Sequence, residues 1–224
     1  MNFQILAPGT FSALQVSLDP GDKILTEAGT MAWMDPSIQV KTSSGGLMAG
    51  LRRAVLRGDS FFQNEYTSTG QGGKVTLVAG QPGEIKALEL RGAPVILERG
   101  AYLAHTPGVS VDAKFNGLKG FFAEGLFVVY ATGEGTLFYN AYGDILEVDV
   151  QGDYIVDNGY AVAWESSLNY TVTRTGRKIR TFLFGDGLVI RFSGHGKVWV
   201  QSRSAYSLAN FMFPFRTLET KNSS

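Results

Sequence analysis

Cysteine is absent from the chain, and histidine occurs only at His105 and His195. The lack of cysteine excludes disulfide bonds, thiolate metal sites and a cysteine nucleophile. Two histidines are too few for a histidine-based metal cage, and no serine in a nucleophile-elbow context lies near either of them. Both histidines are therefore expected to be polar surface residues, and the sequence predicts a protein without a catalytic site, a metal ion or a cofactor.

An excess of charge of either sign is also absent, because 20 basic side chains are balanced by 20 acidic ones. With 18% charged and 44% hydrophobic residues among 224 positions, the composition is that of a folded domain with ample material for a core. It excludes a disordered chain and a globally basic nucleic-acid binder. A charged partner would have to bind a local patch, and nucleic acid is the weakest candidate partner.

The chain has no long hydrophobic run. Its start, MNFQILAPGT, lacks the basic segment of a secretory signal, and its longest apolar stretch, residues 121–131, is interrupted by Glu124 and Gly125. A membrane-spanning helix needs about 20 mostly apolar residues. We therefore expect a cytoplasmic protein, with peripheral attachment to a membrane as the remaining alternative.

What the sequence does contain is a repeat. Three segments share an acid and a glycine, an apolar run, a glycine-rich turn and a second apolar run: GDSFFQNEYTSTGQGGKVTLV from Gly58, AEGLFVVYATGEGTLFYN from Ala123 and GDGLVIRFSGHGKVWVQS from Gly185. A second block precedes each of them: ILTEAGTMAWMDPSIQV from Ile24, VILERGAYLAHTPGVSV from Val95 and YIVDNGYAVAWESSLNYTV from Tyr154. The two blocks keep the same order, which predicts three fused modules.

The landmark glycines of the second block are Gly29, Gly100 and Gly159, which are 71 (100 − 29) and 59 (159 − 100) residues apart. Modules of about 60 residues then cover roughly 10–78, 79–139 and 140–202. The sequence thus predicts a single triplicated β domain over residues 1–203, followed by a C-terminal tail over 204–224.

Hydrophobic alternation with a period of two residues predicts β-strands throughout. The third module alternates over Leu188–Ser193 and again over Lys197–Gln201. We predict a β-hairpin at the intervening turn, Gly194–Gly196, and at the equivalent Gly70–Gly72 and Gly133–Gly135, because tight turns often need the positive φ that glycine tolerates. Signals for helices are almost absent.

Two segments of the third module, GDYIVDNGYAVAWESSLNYTV and GDGLVIRFSGHGKVWVQSR, resemble the conserved region of a widespread family that includes the fungal altered-inheritance-of-mitochondria protein of mitochondrial biogenesis. The resemblance covers about residues 3–215 and includes Trp164, Trp199, Gln201 and Ser202. It implies a fold like that of the tryptophan RNA-binding attenuation protein, a short variant of the double-stranded β-helix, in three tandem copies that assemble as a ring-like trimer. It implies no catalytic residues. The tryptophan and RNA contacts of the attenuation protein do not transfer, because no basic strand motif recurs in the three modules.

Three arginines form a candidate patch for an anionic surface. The first repeat is lengthened by GGLMAGLRRAVLRG, residues 45–58, where Arg52, Arg53 and Arg57 lie opposite an apolar arc on a helical wheel. We interpret this segment either as a helix that caps the β-structure or as a contact to an anionic membrane. Each arginine near such a membrane contributes about 1 kcal/mol, so attachment would depend on assembly into an oligomer.

Aromatic residues supply the other candidates. Trp33 and Trp164 are predicted to be equivalent positions, and with Trp199 they are interpreted as core or seam residues; the alternative is a stacking pocket for a small aromatic or a nucleobase. The tail is expected to dock on its own module, to contact a neighbouring subunit or to insert at a membrane interface. Its candidate residues for the oligomer or membrane contact are Phe211, Phe213 and Phe215.

Together these features predict a non-catalytic, all-β, triplicated protein that forms a homo-oligomeric ring, with a trimer favoured. Its expected role is that of a scaffold or membrane-associated assembly factor. The alternative is a regulator that binds a small ligand or single-stranded RNA in grooves between the modules. Fold resemblance alone does not decide between these roles.

Overall fold

The computed structural model describes residues 1–43, 63–116, 126–174 and 188–216. Within these ranges the chain is predominantly β, with one short α-helix, so the predicted all-β class is confirmed. The predicted alternation of hydrophobic residues matches the observed burial. In the strand Ile85–Arg91, more buried side chains alternate with more exposed ones.

The described ranges contain sixteen strands. In chain order they are β1 (Asn2–Leu6), β2 (Ala13–Leu18), β3 (Lys23–Glu27), β4 (Met31–Met34), β5 (Ile38–Ser43), β6 (Gln63–Ser68), β7 (Gly73–Leu77), β8 (Ile85–Arg91), β9 (Val95–Glu98), β10 (Tyr102–His105), β11 (Val109–Asn116), β12 (Leu126–Asn140), β13 (Ile145–Asp157), β14 (Ala161–Glu165), β15 (Asn169–Arg174) and β16 (Leu188–Gln201). The helices are the 3-10 turns η1 (Arg99–Ala101), η2 (Asn158–Tyr160) and η3 (Phe213–Phe215) and the α-helix α1 (Ala205–Met212).

The strands form two antiparallel sheets. One sheet has four strands in the order β1-β2-β7-β4. The other has twelve, of which nine follow the order β13-β16-β14-β9-β12-β10-β3-β6-β5, while β8 and β11 pair with β12 and β15 pairs with β16. Strands β4 and β13 therefore stand at the ends of the two sheet orders.

Strands β12 and β16 are long and use both of their edges. Along one edge, β16 pairs with β13 from Ile145 opposite Gln201 to Asp157 opposite Val189. Along the other edge, it pairs with β15 in its first half and with β14 in its second half. Strand β12 pairs with β9 and β11 in its first half and with β8 and β10 in its second half.

The predicted hairpins at the glycine-rich turns are wrong. Gly133–Gly135 and Gly194–Gly196 lie inside the continuous strands β12 and β16, and Gly70–Gly72 carries the chain from β6 in one sheet to β7 in the other. Positive φ at Gly133 bends the strand without reversing it, and a Cβ there would collide with the carbonyl oxygen of Gly108. These glycines therefore serve as strand corners and close-approach points.

Buried apolar side chains gather in three clusters. The first includes Leu14, Ile24 and Val75. The second includes Leu97, Tyr139 and Trp199, and the third includes Trp164, Ile190 and Phe192. The buried core thus consists of three clusters, each built from several strands.

The tail begins as a capped helix. The Ser204 hydroxyl accepts a hydrogen bond from the Ser207 amide at 3.4 Å, which satisfies a free N–H at the start of α1. No side chain of α1 or η3 is buried. Docking of Phe211, Phe213 and Phe215 on their own module is therefore wrong for the described residues up to 216, because all three side chains face solvent.

Candidate assembly edges and seam cavities

Two pairings, here called the first and second seams, join distant parts of the chain in the same register. In the first seam β10 pairs with β3, and Ala104 lies opposite Thr26. In the second seam β14 pairs with β9, and Ala163 lies opposite Leu97. Both seams follow one rule. The residue four positions after a landmark glycine lies opposite the residue three positions before the previous landmark glycine in the chain.

The same rule singles out a third pair of edges. The residue four positions after Gly29 is Trp33 on β4, and the residue three positions before Gly159 is Val156 on β13. Among the described residues, β4 pairs only with β7, and β13 pairs only with β16 along its length. Each of these strands keeps one edge without a β partner in the described part of the chain.

Large apolar side chains are exposed at these two edges. The Trp33 side chain is 54% exposed, whereas Ala104 and Ala163 at the corresponding seam positions are buried. On β13, Tyr154 and Ile155 are exposed as well. Exposed apolar strand edges promote pairing with another chain, and natural proteins usually protect them.

A groove lies next to the free edge of β13. Its volume is about 520 Å³, and its walls include Tyr154, Ile155, Tyr170, Arg191 and Phe192. It combines aromatic and aliphatic walls with one guanidinium group and the Asp153 carboxylate, and its aromatic walls suit an incoming aromatic side chain.

The predicted equivalence of Trp33 and Trp164 is wrong by one residue. Trp164 lies opposite Val198, and Val198 occupies the position of Val75 in the repeated Gly-Lys-Val motif. Val75 lies opposite Met34, so Trp164 corresponds to Met34. Because successive side chains on a strand point to opposite faces, this single step separates an exposed tryptophan from a buried one.

The other two tryptophans are buried. Trp164 packs edge-on against Tyr170 and Phe192, with ring centroids 4.9 and 5.4 Å away. Trp199 donates from Nε1 to a Glu147 carboxylate oxygen at 3.0 Å and lines a cavity of about 330 Å³ beside β8. Among the three, only Trp33 offers a ring that a partner can contact directly.

The first seam contains a buried polar cluster. The Gln63 side-chain amide donates to the Tyr102 hydroxyl at 3.1 Å and lies 3.2 Å from His105 Nε2. With that nitrogen accepting, His105 Nδ1 donates to the Thr106 carbonyl at 3.0 Å. Burial lowers the pKa of His105 and raises the pKa of Tyr102, so both side chains are held neutral.

The expectation that both histidines lie at the surface is therefore half right. His195 is exposed, as expected, but His105 is buried. The signal was present in the strand pattern: His105 ends the apolar run of β10, at the position that Trp164 occupies on β14.

A carboxyl group with an altered pKa also lies at the first seam. Burial raises the pKa of Glu27 to about 7, and the nearby Glu98 carboxylate adds to this, although the Arg99 guanidinium acts in the opposite direction. Arg99 belongs to η1, which follows directly on Glu98. The first seam therefore contains a carboxylate and a cation from the chain itself.

A half-open polar cavity of about 240 Å³ lies at the second seam. The two 3-10 turns form its walls through Glu98, Gly100, Asn158 and Gly159, and the start of the tail covers it with Tyr206. Other polar lining residues are Gln81, Asn140, Gln201 and Ser204. Burial raises the pKa of Glu98, and hydrogen bonds from the amides of Gly100 and Arg99 partly oppose this.

Backbone hydrogen bonds hold the walls of this cavity. The Glu98 carboxylate accepts from the Gly100 amide at 2.7 Å. Asn140 Nδ2 donates to the Gly100 carbonyl at 3.2 Å, and Gln201 Nε2 donates to the Gly159 carbonyl at 2.8 Å. The Asn158 amide oxygen is buried and accepts no hydrogen bond from the part of the chain that the structure describes. No local sequence pattern indicates this cavity, because the turns that form it are 59 residues apart (159 − 100).

The candidate patch of Arg52, Arg53 and Arg57 lies outside the described residues. Within the described ranges, no three His, Cys, Asp or Glu side chains come close enough together to hold a metal ion. None of the helices in that part of the chain has the length and apolarity needed to cross a bilayer.

Known proteins are similar to this chain in sequence and in architecture. A crystal structure of a Streptococcus pyogenes protein superposes with a TM-score of 0.82 at 27% identity, over 96% of this chain and 99% of that one. An uncharacterised protein of Streptococcus pyogenes serotype M6 is 29% identical over 213 residues, which is 90% of this chain and 86% of the relative. The family model described as mitochondrial biogenesis AIM24 matches residues 3–203. By this match the chain belongs to the AIM24 family of mitochondrial biogenesis.

Proposed function

We propose that the protein is a non-catalytic subunit of a closed homotrimeric ring, in which β4 of one copy pairs with β13 of the next. The supporting observation is that each of the two strands has an apolar edge without a β partner among the described residues, while the corresponding edges inside the chain form the two seams. The ring presents each surface feature of the chain three times, as a scaffold does.

The seams give the register of this contact. Trp33 of one copy lies opposite Val156 of the next, Met34 opposite Ile155, and Asp35 opposite Tyr154, because these are the offsets of β14 against β9. Trp33 then packs next to the groove of about 520 Å³ beside β13. Such a contact is head-to-tail, so it closes into a ring when the rotation between copies fits.

The proposal includes three attenuation-protein-like modules within each chain. Its support is that one pairing scheme recurs three times. Strand β3 pairs with β6, β9 pairs with the first half of β12, and the second half of β13 pairs with the first half of β16. Strand β4 pairs with β7, β10 pairs with the second half of β12, and β14 pairs with the second half of β16. Each of these pairings contains the same shift in register.

Ile155→Lys tests the ring. It places a charge at the free edge, where Ile155 is 50% exposed in the single chain. We expect the wild type to sediment as a trimer of about 73 kDa (3 × 24.3 kDa) and the variant as a monomer with unchanged circular dichroism. Leu146→Lys is the matched control, because Leu146 is on the same strand and 55% exposed but far from the edge pairing. A trimeric Ile155→Lys, or a wild type that stays monomeric at high concentration, contradicts the proposal.

The tail gives the ring a membrane-facing surface in this proposal. Residues 204–215 carry no charged side chain, and six large apolar side chains of α1 and η3 are exposed. Aromatic residues favour the membrane interface, and the arginines that flank the segment, Arg203 and Arg216, suit anionic headgroups. The trimer would present three such segments, which multiplies a weak individual affinity.

Flotation with phosphatidylglycerol vesicles tests the membrane contact. We expect the full chain to float and a chain ending at residue 203 to stay in the soluble fraction as a trimer. Loss of the trimer on truncation would assign the tail to a contact between copies instead. Equal flotation of both chains would remove the tail from membrane binding.

A further inference from the structure

The two seams differ in one charge. Counted from the landmark glycines, Glu98 at the second seam corresponds to Glu27 at the first, because each stands two residues before its glycine. The residue just before the next landmark glycine is Arg99 at the first seam and Asn158 at the second. The Arg99 guanidinium lowers the pKa of both carboxylates, Glu27 and Glu98, whereas the residue just before Gly159 at the second seam is the neutral Asn158.

The second seam consequently holds two hydrogen-bond acceptors next to one cavity. Glu98 and Asn158 both line the 240 Å³ space, and the buried Asn158 amide oxygen has no donor within the described ranges. Buried acceptors without donors are costly, and a half-buried carboxylate favours a nearby positive charge. The Glu98 carboxylate accepts hydrogen bonds from the Gly100 and Arg99 amides, whereas no donor of the described residues reaches the Asn158 amide oxygen.

We propose that this cavity binds a small organic cation with a primary ammonium group, which donates N–H hydrogen bonds to the Glu98 carboxylate and the Asn158 amide oxygen. The bound ammonium supplies N–H donors and a positive charge beside Asn158, which stands where the first seam has Arg99. This site lies within one chain, so it does not depend on the ring.

The lining favours an ammonium over other ligands. A hard metal ion prefers several oxygen ligands, and within the described residues no three acidic or histidine side chains come together. An anion would lie against the Glu98 carboxylate and is disfavoured by charge. A volume of 240 Å³ holds a compound of several heavy atoms, and Tyr206 and Ser204 at the start of the tail supply hydroxyl groups for its remaining polar atoms.

Titration with ethanolamine, followed by calorimetry and by amide NMR shifts at pH 8, tests this site. At that pH an alkylammonium is still protonated. We expect saturable binding with shifts at Gly100 and Gly159, and no binding of ethylene glycol, which has the same shape without the charge. Equal binding of both compounds, or no saturable binding of ethanolamine, would overturn the proposal.

Two variants locate the binding. Glu98→Gln keeps an acceptor for the Gly100 amide but removes the charge, and we expect at least a tenfold loss of ethanolamine affinity. Asn158→Arg copies the first seam, and we expect it to abolish binding and raise the melting temperature. Glu27→Gln at the first seam is the matched control and should bind like the wild type. Unchanged affinity in both Glu98→Gln and Asn158→Arg would show that the cation binds elsewhere.

Discussion

Replacing Trp33 by alanine isolates the side chain that the ring contact depends on most. In the single chain the indole is 54% exposed, and alanine already occupies the equivalent positions at both seams. The substitution therefore suits the local backbone and leaves the core of the chain intact. Its effect should fall on assembly and not on folding.

The magnitude follows from the exposed area. A tryptophan side chain has roughly 250 Å² to bury, so the 54% that is exposed amounts to about 130 Å². At about 25 cal/mol per Å², its loss weakens each contact by about 3 kcal/mol. That corresponds to about a hundredfold weaker association per contact, as expected for a buried aromatic anchor.

Tryptophan fluorescence provides the assay. Trp164 and Trp199 are buried within the chain, so acrylamide quenching reports mainly on Trp33. We expect quenching in the dilute wild type to fall as trimers form, and the Trp33→Ala variant to remain monomeric at concentrations where the wild type is trimeric. Leu146→Ala, which removes a side chain of similar exposure, should assemble like the wild type. Trp33 that stays quenchable in the trimer would refute the proposed register.

Three further predictions concern the stability of the single chain, measured by urea denaturation. Trp164→Ala should lower the free energy of unfolding by about 3–5 kcal/mol, because it empties a core site; a loss below 1 kcal/mol would mean that Trp164 does not pack as described. Gly133→Ala should cost at least about 2 kcal/mol through its positive φ and its collision with Gly108, whereas Gly152→Ala, with positive φ but open space, should cost less. Glu27 binds more protons when folded between pH 4.5 and about 7, so stability should fall as pH rises through this window. Glu27→Gln should remove that slope, and a slope that persists would assign it to other groups.

The strands were predictable because hydrophobic alternation records which face is buried. The repeated glycines were also recognised, but their role was not. A glycine with positive φ reads equally well as a hairpin turn and as a bend within one strand. What decides between them at Gly133 is the Thr106–Gly108 loop that lies against it, and this contact joins residues about 25 positions apart.

The candidate sites were harder to predict, because each is made by two distant segments. His105 ends a four-residue strand, and its burial depends on Gln63 and on β3, which no local pattern indicates. The error at Trp33 arose from aligning two tryptophans by residue type. Aligning the glycines of the same blocks gives the register that the strands adopt, with Trp164 at the position of Met34.

The full-length pairing of β13 with β16 has a consequence for synthesis on the ribosome. Asp157 pairs with Val189, and Ile145 pairs with Gln201, the last residue of β16. The pairing of β13 therefore cannot be completed until Gln201 has been synthesised. Until that strand emerges, β13 displays Tyr154 and Ile155 with neither of its edges occupied, a state that invites mispairing between nascent chains. Chaperone demand during translation should therefore be highest in the interval between the release of residue 157 and that of residue 201.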